Sequence, residues 1–242
     1  MKRNSILLCI SLLLLGISVT ELCASNDLSG VCSSLEQQAK KLLESGSPRA
    51  AAIGELASKI VTMIEGKGKA SLTFICTHNS RRSQIAQVMA TKAAEHMGVD
   101  AIQFFSGGTE VTACNPRTVD ALRRVGFPVE QLEFQSNPRY SVKINPDEEP
   151  LELFSKKYDH PANPKKDFIA VMVCSDADEN CPLVRGCTSR VSLPYNDPKS
   201  SDNTDSETAV YDMKCLEIGS EQFALLQLVS QKLQSKEIKS LN

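Results

Sequence analysis

The chain has 242 residues, 41% of them hydrophobic and 23% charged, with a formal net charge of −2 at pH 7. This length fits one large domain, or a domain with an extension, that buries a sizeable core. The weak net charge excludes a strongly basic surface for nucleic acid. Nine cysteines, with three histidines and no Cys-x-x-Cys pair, favour thiol chemistry over a zinc site or a dense disulfide framework.

Residues 1–24 have the layout of a secretory signal peptide. Lys2 and Arg3 precede an apolar run over residues 6–19, and small residues follow at 24–25. The run is shorter than the about 20 apolar residues that are needed to span a bilayer. The rest of the sequence contains no apolar run of that length. We therefore predict an exported protein, periplasmic or secreted, whose mature form does not span the membrane. The alternative is a buried N-terminal helix in a cytoplasmic protein, with the signal misread.

Residues 25–70 are predicted to form a helical N-terminal extension packed on the main domain. Apolar side chains recur at helical spacing in SSLEQQAKKLLES and in RAAAIGELASKIVTMIEGKGK. The turn-forming SGSP separates the two stretches.

From residue 71 to residue 242 the pattern alternates strands with helices. The predicted strands are SLTFI, AIQFFSGG, DFIAVMVC and RVSLPY, and a long helix is predicted from about residue 206 to 236. This alternation predicts an α/β fold with a small, four-stranded, parallel and doubly wound sheet. Residues 135–166 are rich in proline and mixed charge, which indicates an inserted loop or lid rather than a core element.

Cys76 ends the first predicted strand, and Arg82 and Ser83 open the helix that follows it. In a parallel sheet, ligands bind beyond the carboxyl ends of the strands. Backbone N–H groups at a helix N-terminus form an anion cradle, and Arg82 can clamp a tetrahedral oxyanion. The same positive field and a hydrogen bond from Ser83 favour the thiolate form of Cys76. The alternative is a buried cysteine beside a surface arginine. The predicted cradle comprises Thr77, His78, Asn79, Ser80, Arg81, Arg82 and Ser83.

The stretch FICTHNSRRSQIAQ resembles the phosphate loop of the low-molecular-weight protein tyrosine phosphatase superfamily. More specifically, it is similar to the loop of thioredoxin-coupled arsenate reductases. FFSGGTE and NPRTVDALRRVGF match the family's second strand and second helix in order, so the resemblance covers roughly residues 71–234. It implies the phosphotyrosine protein phosphatase I-like fold, with Cys76 as the nucleophile and Arg82 as the oxyanion clamp.

The stretch VMVCSDADENCPL is similar to a segment of the arsenate reductases, and it holds Cys174 and Cys181. The resemblance implies that Cys76 attacks arsenate and that Cys174 then attacks the sulfur of the adduct, which expels arsenite. Cys181 would resolve the resulting disulfide into a Cys174–Cys181 bridge that thioredoxin reduces. The alternative is a permanent structural disulfide between Cys174 and Cys181.

Asp197 precedes Pro198 at the position of the family's general acid, which protonates a leaving oxygen. Phosphatases of this family usually continue with aromatic residues, whereas here the polar residues 199–201 follow.

The phosphate loop differs from the family at two positions. His78 replaces a usual glycine, and Arg81 replaces a cysteine that many members carry. Some of these reductases also bind a potassium ion.

The potassium position differs from the family in one residue. Gln87 replaces a glutamate that helps to bind the ion, while Asn79 and Ser106 match, so a potassium ion stays an open expectation.

The leading hypothesis is an arsenate reductase that reduces arsenate to arsenite, with a thioredoxin-like reductant as co-substrate and no other cofactor. The first alternative is a phosphatase that hydrolyses phosphotyrosine or small phosphate esters through a phosphocysteine at Cys76. An alternative of another class is a non-catalytic oxyanion-binding or thiol-sensing protein. In each case the expected small ligand is arsenate or phosphate. Export would require a thiol-reducing partner outside the cytoplasm.

Overall fold

The structure of the protein, a computed structural model, describes residues 28–180 and 183–240. The predicted signal peptide at 1–24 and the predicted resolving thiol Cys181 lie outside these residues. Across the described ranges, no helix combines the length and the apolar character needed to cross a bilayer.

The described part of the chain contains six helices and seven strands. In chain order the elements are α1 (Leu28–Glu44), α2 (Pro48–Lys67), β1 (Ala70–Cys76), α3 (Arg82–Met97), β2 (Ile102–Gly108), α4 (Pro116–Val125), β3 (Val129–Glu133), β4 (Arg139–Val142), β5 (Leu151–Leu153), β6 (Phe168–Met172), α5 (Ser175–Asn180), β7 (Cys187–Ser192), a 3-10 turn (Pro198–Ser201) and α6 (Glu207–Ser240).

The main sheet has four parallel strands in the order β2-β1-β6-β7, which confirms the predicted fold class. All five residues of β6 are buried, as expected for a parallel strand covered on both faces. The register pairs Cys76 with Gly108 and Ile75 with Met172. The carboxyl ends of β1, β2 and β6 therefore meet at one edge of the sheet. The fourth strand begins at Cys187, three residues before the predicted RVSLPY stretch.

Local signals in the sequence set the helix ends. Asn115 caps α4 by accepting a hydrogen bond from the Arg117 N–H, with Pro116 in the first turn. Gly98 ends α3 at φ +64°, a left-handed conformation that favours glycine.

The predicted N-terminal helical extension is confirmed as α1 and α2. Both helices bury apolar side chains in the same hydrophobic core as the main sheet, among them Val31, Leu35, Ile53, Leu56 and Ile60.

The segment predicted as a loop or lid instead forms most of a second sheet, with the antiparallel order β3-β4-β5. Tyr140, Val142 and Leu153 are buried and join the main hydrophobic core, so the expectation that residues 135–166 lie outside the core is wrong for these strands. The five prolines that indicate a loop lie at positions 138, 146, 150, 161 and 164, between the strands and not within them.

Leu153→Ala tests whether the small sheet belongs to the core. Leu153 is fully buried, whereas Leu132 in β3 is 53% exposed and serves as a matched control. We expect Leu153→Ala to lower the free energy of unfolding by about 2–5 kcal/mol, because it leaves a cavity. Leu132→Ala should change it by less than about 0.5 kcal/mol. Urea unfolding measures both, and equal small losses would contradict the assignment of this sheet to the core.

Candidate active site

The loop between Cys76 and Arg82 is shaped by an unusual residue, Asn79. Its φ of +46° lies in the left-handed region, which asparagine adopts more readily than most residues. The Asn79 Oδ1 accepts a hydrogen bond from the Lys156 N–H at 3.0 Å, and its Nδ2 donates to the Ser83 Oγ at 2.9 Å. One side chain thereby connects the loop to the segment after β5 and to the start of α3.

Close approach of β2 to this loop requires glycine at position 108. A Cβ on Gly108 would lie 2.5 Å from the Glu110 carbonyl oxygen and 2.7 Å from the Thr77 carbonyl oxygen. The Thr109 and Glu110 N–H groups donate to the carbonyls of Cys76 and Thr77, at 3.2 and 2.8 Å. The end of β2 therefore supports the loop from one side.

The loop keeps its own donors available. The backbone N–H groups of residues 78–81 donate to no other residue within the described ranges. Such a run of unused N–H groups beside a left-handed residue forms an anion-binding concavity. This arrangement supports the cradle that the sequence predicts.

The thiol of Cys76 lies at the base of the loop and is 3% exposed. Its Sγ is 3.0 Å from the Ser83 Oγ. Because that hydroxyl oxygen already accepts a hydrogen bond from Asn79, its own hydrogen is free to point at the sulfur. Ser83 is therefore positioned to stabilise a thiolate at Cys76.

Arg82 is 7% exposed. Two of its nitrogens donate hydrogen bonds to the segment after β7. Its Nη1 donates to the Tyr195 carbonyl oxygen at 3.0 Å, and its Nη2 donates to the Asp197 Oδ2 at 2.6 Å. The Asp197 Oδ1 caps the 3-10 turn by accepting from the Lys199 N–H at 3.0 Å. The Arg82 Nε is buried and has no partner among the described residues. An oxyanion in the cradle would supply the acceptor that this donor lacks.

Cys174 lies next to the same loop, although it is 98 positions from Cys76 in the sequence. The Val173 N–H donates to the Ile75 carbonyl oxygen at 2.8 Å, which aligns the end of β6 with the end of β1. The Cys174 Sγ lies 3.5 Å from the Thr77 Oγ1 and accepts from the Ala177 N–H at 3.3 Å. The thiol is free and fully buried.

Three predicted cradle residues direct their side chains elsewhere. Arg81 donates to the Tyr211 hydroxyl at 2.7 Å and to the Asp202 Oδ2 at 3.0 Å. The His78 ring faces Glu110, and the Ser80 hydroxyl donates to the Ala113 carbonyl oxygen. These positions offer backbone N–H groups and not side chains to a ligand.

Side chains to which the sequence assigns no role connect the loop to the segment that follows β5. The Ser155 Oγ donates to the His78 carbonyl oxygen at 2.8 Å, and the Gln84 Nε2 donates to the carbonyls of Asn79 and Phe154. Burial lowers the pKa of Lys156 to about 8, and its ammonium lies 4.6 Å from the centre of the Phe154 ring. Ser155 and Lys156 lie in no motif, and Gln84 lies in the phosphate-loop stretch without a predicted role, because all three contacts involve a segment predicted to be a loop.

Two of the three residues at the potassium position have a buried oxygen without a partner among the described residues. These oxygens are the Gln87 Oε1 and the Ser106 Oγ. Gln87 Nε2 donates to the Phe104 carbonyl oxygen, two residues before Ser106 on the same face of β2. Asn79 Oδ1 is taken by the Lys156 N–H. Buried amide and hydroxyl oxygens without a hydrogen-bond partner are the kind of ligand that a hard cation of low charge, such as potassium, can bind.

Comparison with known proteins gives matches of two related kinds. A family model described as low molecular weight phosphotyrosine protein phosphatase matches residues 71–141. An arsenate reductase of Staphylococcus epidermidis is 30% identical over 130 residues, which are 54% of this chain and 79% of that protein. An arsenate reductase of Bacillus licheniformis is 29% identical over 139 residues, which are 57% of this chain and 81% of that protein.

Among solved structures, an arsenate reductase in the phosphate binding state aligns with 66% of this chain and 98% of its own. The sequence identity of that pair is 15%, and the TM-score is 0.42.

Ser83→Ala removes the hydroxyl that faces the Cys76 sulfur. We expect Cys76 to react about tenfold more slowly with iodoacetamide at pH 7, because a hydrogen bond to a charged group contributes ~1.5 kcal/mol or more. Mass spectrometry of the Cys76 peptide measures the rate. Ser58→Ala is the control, since that hydroxyl bonds only within α2. Alkylation of Ser83→Ala at the wild-type rate would show that the hydroxyl does not stabilise the thiolate.

Proposed function

The chain belongs to the low-molecular-weight protein tyrosine phosphatase superfamily, close to the arsenate reductases, and we propose that it reduces arsenate to arsenite through a thiol relay. Membership of this family makes it an enzyme of the arsenate reductase type or of the phosphatase type. The proposed relay uses Cys76, Cys174 and Cys181, and a thioredoxin-like dithiol supplies its electrons.

In the first step, arsenate binds in the loop of residues 77–83, where its oxygens accept from backbone N–H groups and from Arg82. The Cys76 thiolate attacks the arsenic atom, so that a sulfur–arsenic bond forms and an arsenic–oxygen bond breaks. Asp197 in its protonated form gives a proton to the departing oxygen, which leaves as water. Two observations support this part of the proposal: the Arg82 Nε has no partner among the described residues, and the Arg82 Nη2 donates to Asp197.

In the second step, the Cys174 thiolate attacks the Cys76 sulfur, and the sulfur–arsenic bond breaks. The electron pair of that bond stays on arsenic, which leaves as arsenite, and a Cys76–Cys174 disulfide remains. Cys181 then attacks the Cys174 sulfur and releases Cys76 as a thiolate. Two electrons from the external dithiol reduce the Cys174–Cys181 disulfide.

The observation that carries this proposal is the 3.5 Å contact between the Cys174 sulfur and the Thr77 hydroxyl. Thr77 is the residue directly after the nucleophile, so a second free thiol lies beside the reacting centre. Phosphate ester hydrolysis needs Cys76, Arg82 and Asp197 but has no use for that thiol. A reductive relay requires it.

Hydrolysis of phosphomonoesters is the second candidate function. It is favoured by the 2.6 Å contact of Asp197 with Arg82, which holds a carboxyl group beside the oxyanion clamp. In this reaction Cys76 forms a phosphocysteine, Asp197 protonates the leaving alcohol or phenol, and water then hydrolyses the intermediate.

Cys174→Ser separates the two candidates. We expect it to abolish arsenite production in the presence of thioredoxin and its reductase, because no thiol remains to attack the Cys76 sulfur. Any hydrolysis of an aryl phosphate should survive in Cys174→Ser and disappear in Cys76→Ser. Cys32→Ala, which changes a buried cysteine of α1, is the control and should keep wild-type turnover. Unchanged arsenite production by Cys174→Ser would refute the relay.

We also propose that Gln87 and Ser106 contribute oxygens to a site for a potassium ion. At a potassium concentration ten times its Kd, binding adds about 1.4 kcal/mol of stability. For a chain of this size, that corresponds to a rise in Tm of roughly 3–6 °C. Thermal unfolding in potassium chloride against choline chloride at equal ionic strength measures the effect. Ser106→Ala should reduce the potassium-specific part, and equal rises in both salts would exclude the site.

A further inference from the structure

The segment from Leu193 to Asp197 determines where the oxyanion clamp lies. Two of its groups, the Tyr195 carbonyl and the Asp197 carboxylate, hold the two terminal nitrogens of Arg82. A shift of this segment would therefore move both the clamp and the proposed general acid. The contacts that hold residues 193–197 in place therefore bear on the proposed reaction.

The segment is fixed from the N-terminal extension by Arg49, in the first turn of α2. Arg49 forms a two-pronged ion pair with Glu221 of α6, with Nε to Oε1 at 2.8 Å and Nη2 to Oε2 at 2.6 Å. Its guanidinium carbon lies 4.6 Å from the centre of the Tyr195 ring, and its Nη2 is 3.5 Å from the Leu193 carbonyl oxygen. One side chain thus touches the segment at two points.

The side chains of Arg49, Glu221 and Tyr195 each contact the other two. The Tyr195 hydroxyl donates to the Glu221 Oε2 at 2.7 Å. Burial, reinforced by the charge of Glu221, raises the pKa of Tyr195 well above its usual value, so the phenol stays protonated and can donate. Burial lowers the pKa of Arg49, but its hydrogen bond to Glu221 and the negative charge of that carboxylate more than offset this, and the net pKa is raised. Arg49 is therefore a permanent cation between a carboxylate and an aromatic face.

We propose that Arg49 is a positioning residue of the active site, acting through Glu221 and Tyr195 on the segment that aligns Arg82 and Asp197. The inference rests on the proposed function, because it takes Arg82 and Asp197 to be the groups that bind and act on the oxyanion. The family model begins at residue 71, so this part of the site comes from a region outside the family match. The N-terminal extension is then a component of the site and not only a cover for the core.

Arg124 provides a matched control for Arg49. It pairs with Asp212, which lies on α6 as Glu221 does, and the shortest contacts of the two pairs are 2.7 and 2.6 Å. The exposed side-chain fractions are 35% and 9% for Arg124 and Asp212, against 25% and 10% for Arg49 and Glu221. The Arg124 pair joins α4 to α6, and within the described ranges it forms no hydrogen bond or ion pair with residues 193–197.

The experiment compares Arg49→Met and Arg124→Met by the Kd for inorganic phosphate, measured by titration calorimetry, and by thermal stability. Phosphate is a stable oxyanion that both candidate activities must bind, so its Kd reports the clamp without requiring turnover. We expect Arg49→Met to weaken phosphate binding by roughly tenfold, at the lower end of what the loss of outer-shell partners costs at metal sites. Arg124→Met should lose similar stability but keep the wild-type Kd.

Two further variants keep the test valid if Arg49→Met folds poorly. Arg49→Lys retains the charge but loses the two-pronged geometry, and it should lie between the wild type and Arg49→Met in phosphate affinity. Tyr195→Phe retains the ring and its backbone carbonyl but loses the bond to Glu221, and it should also raise the Kd. The kcat for arsenate should fall in the same order as phosphate affinity across these variants.

Wild-type phosphate affinity in folded Arg49→Met, or an equal loss of affinity in Arg124→Met, would overturn the positioning role while leaving the proposed function intact. Failure of the wild-type protein itself to bind phosphate would instead overturn the proposed function, and this inference with it.

Discussion

The guanidinium of Arg82 is almost completely removed from water, and the surrounding structure is arranged to satisfy it. A buried cation without partners costs several kcal/mol, so its hydrogen bonds to Tyr195 and Asp197 stabilise the fold and also orient the proposed oxyanion clamp. Those partners satisfy the two terminal nitrogens and leave the Nε without an acceptor among the described residues. The site is therefore held in a state that an incoming oxyanion completes, with little rearrangement of protein dipoles required on binding.

Parallel strand pairing brings the remaining groups to this arginine. Cys76 ends β1, Gly108 ends β2, and Cys174 follows β6, and the register of the sheet makes these three ends coincide. Because Cys174 is fully buried, an external protein cannot reach its sulfur without a local movement. The proposed relay would resolve this conflict, because it passes the disulfide from the buried pair to a thiol further along the chain, which would meet the reductant.

The parts of the fold that follow local rules could be predicted from the sequence, and the parts that follow long-range contacts could not. The apolar β6, the proline-started α4 and the glycine that ends α3 each carry their signal within a few residues. The sequence does not predict the small sheet, because its strands are only three to five residues long and have prolines between them.

The candidate site divides in the same way. The spacing of Cys76 and Arg82 identified the loop, because both sit on one strand–loop–helix unit. The position of Arg81 beside Arg82 predicts a role in the cradle, yet its side chain donates to Tyr211 and Asp202, which no local pattern reveals. The pairing of Arg49 with Glu221 joins residues 172 positions apart, and only the packed fold brings them together.

Helix α2 of the N-terminal extension both packs in the hydrophobic core and carries Arg49, so the stability of the fold and the geometry of the site depend on the same helix. Ile53, Leu56 and Ile60 bury the apolar face of α2 in the core, which fixes that helix against the rest of the domain. Arg49 can hold the 193–197 segment only because this burial gives its own backbone a fixed position. A loosening of α2 would act directly on the contact with Tyr195, whereas the pairing of β1 with β6 is made by the two strands themselves. The orientation of Arg82 thus depends on hydrophobic packing in a helix that contributes no atom to the oxyanion cradle.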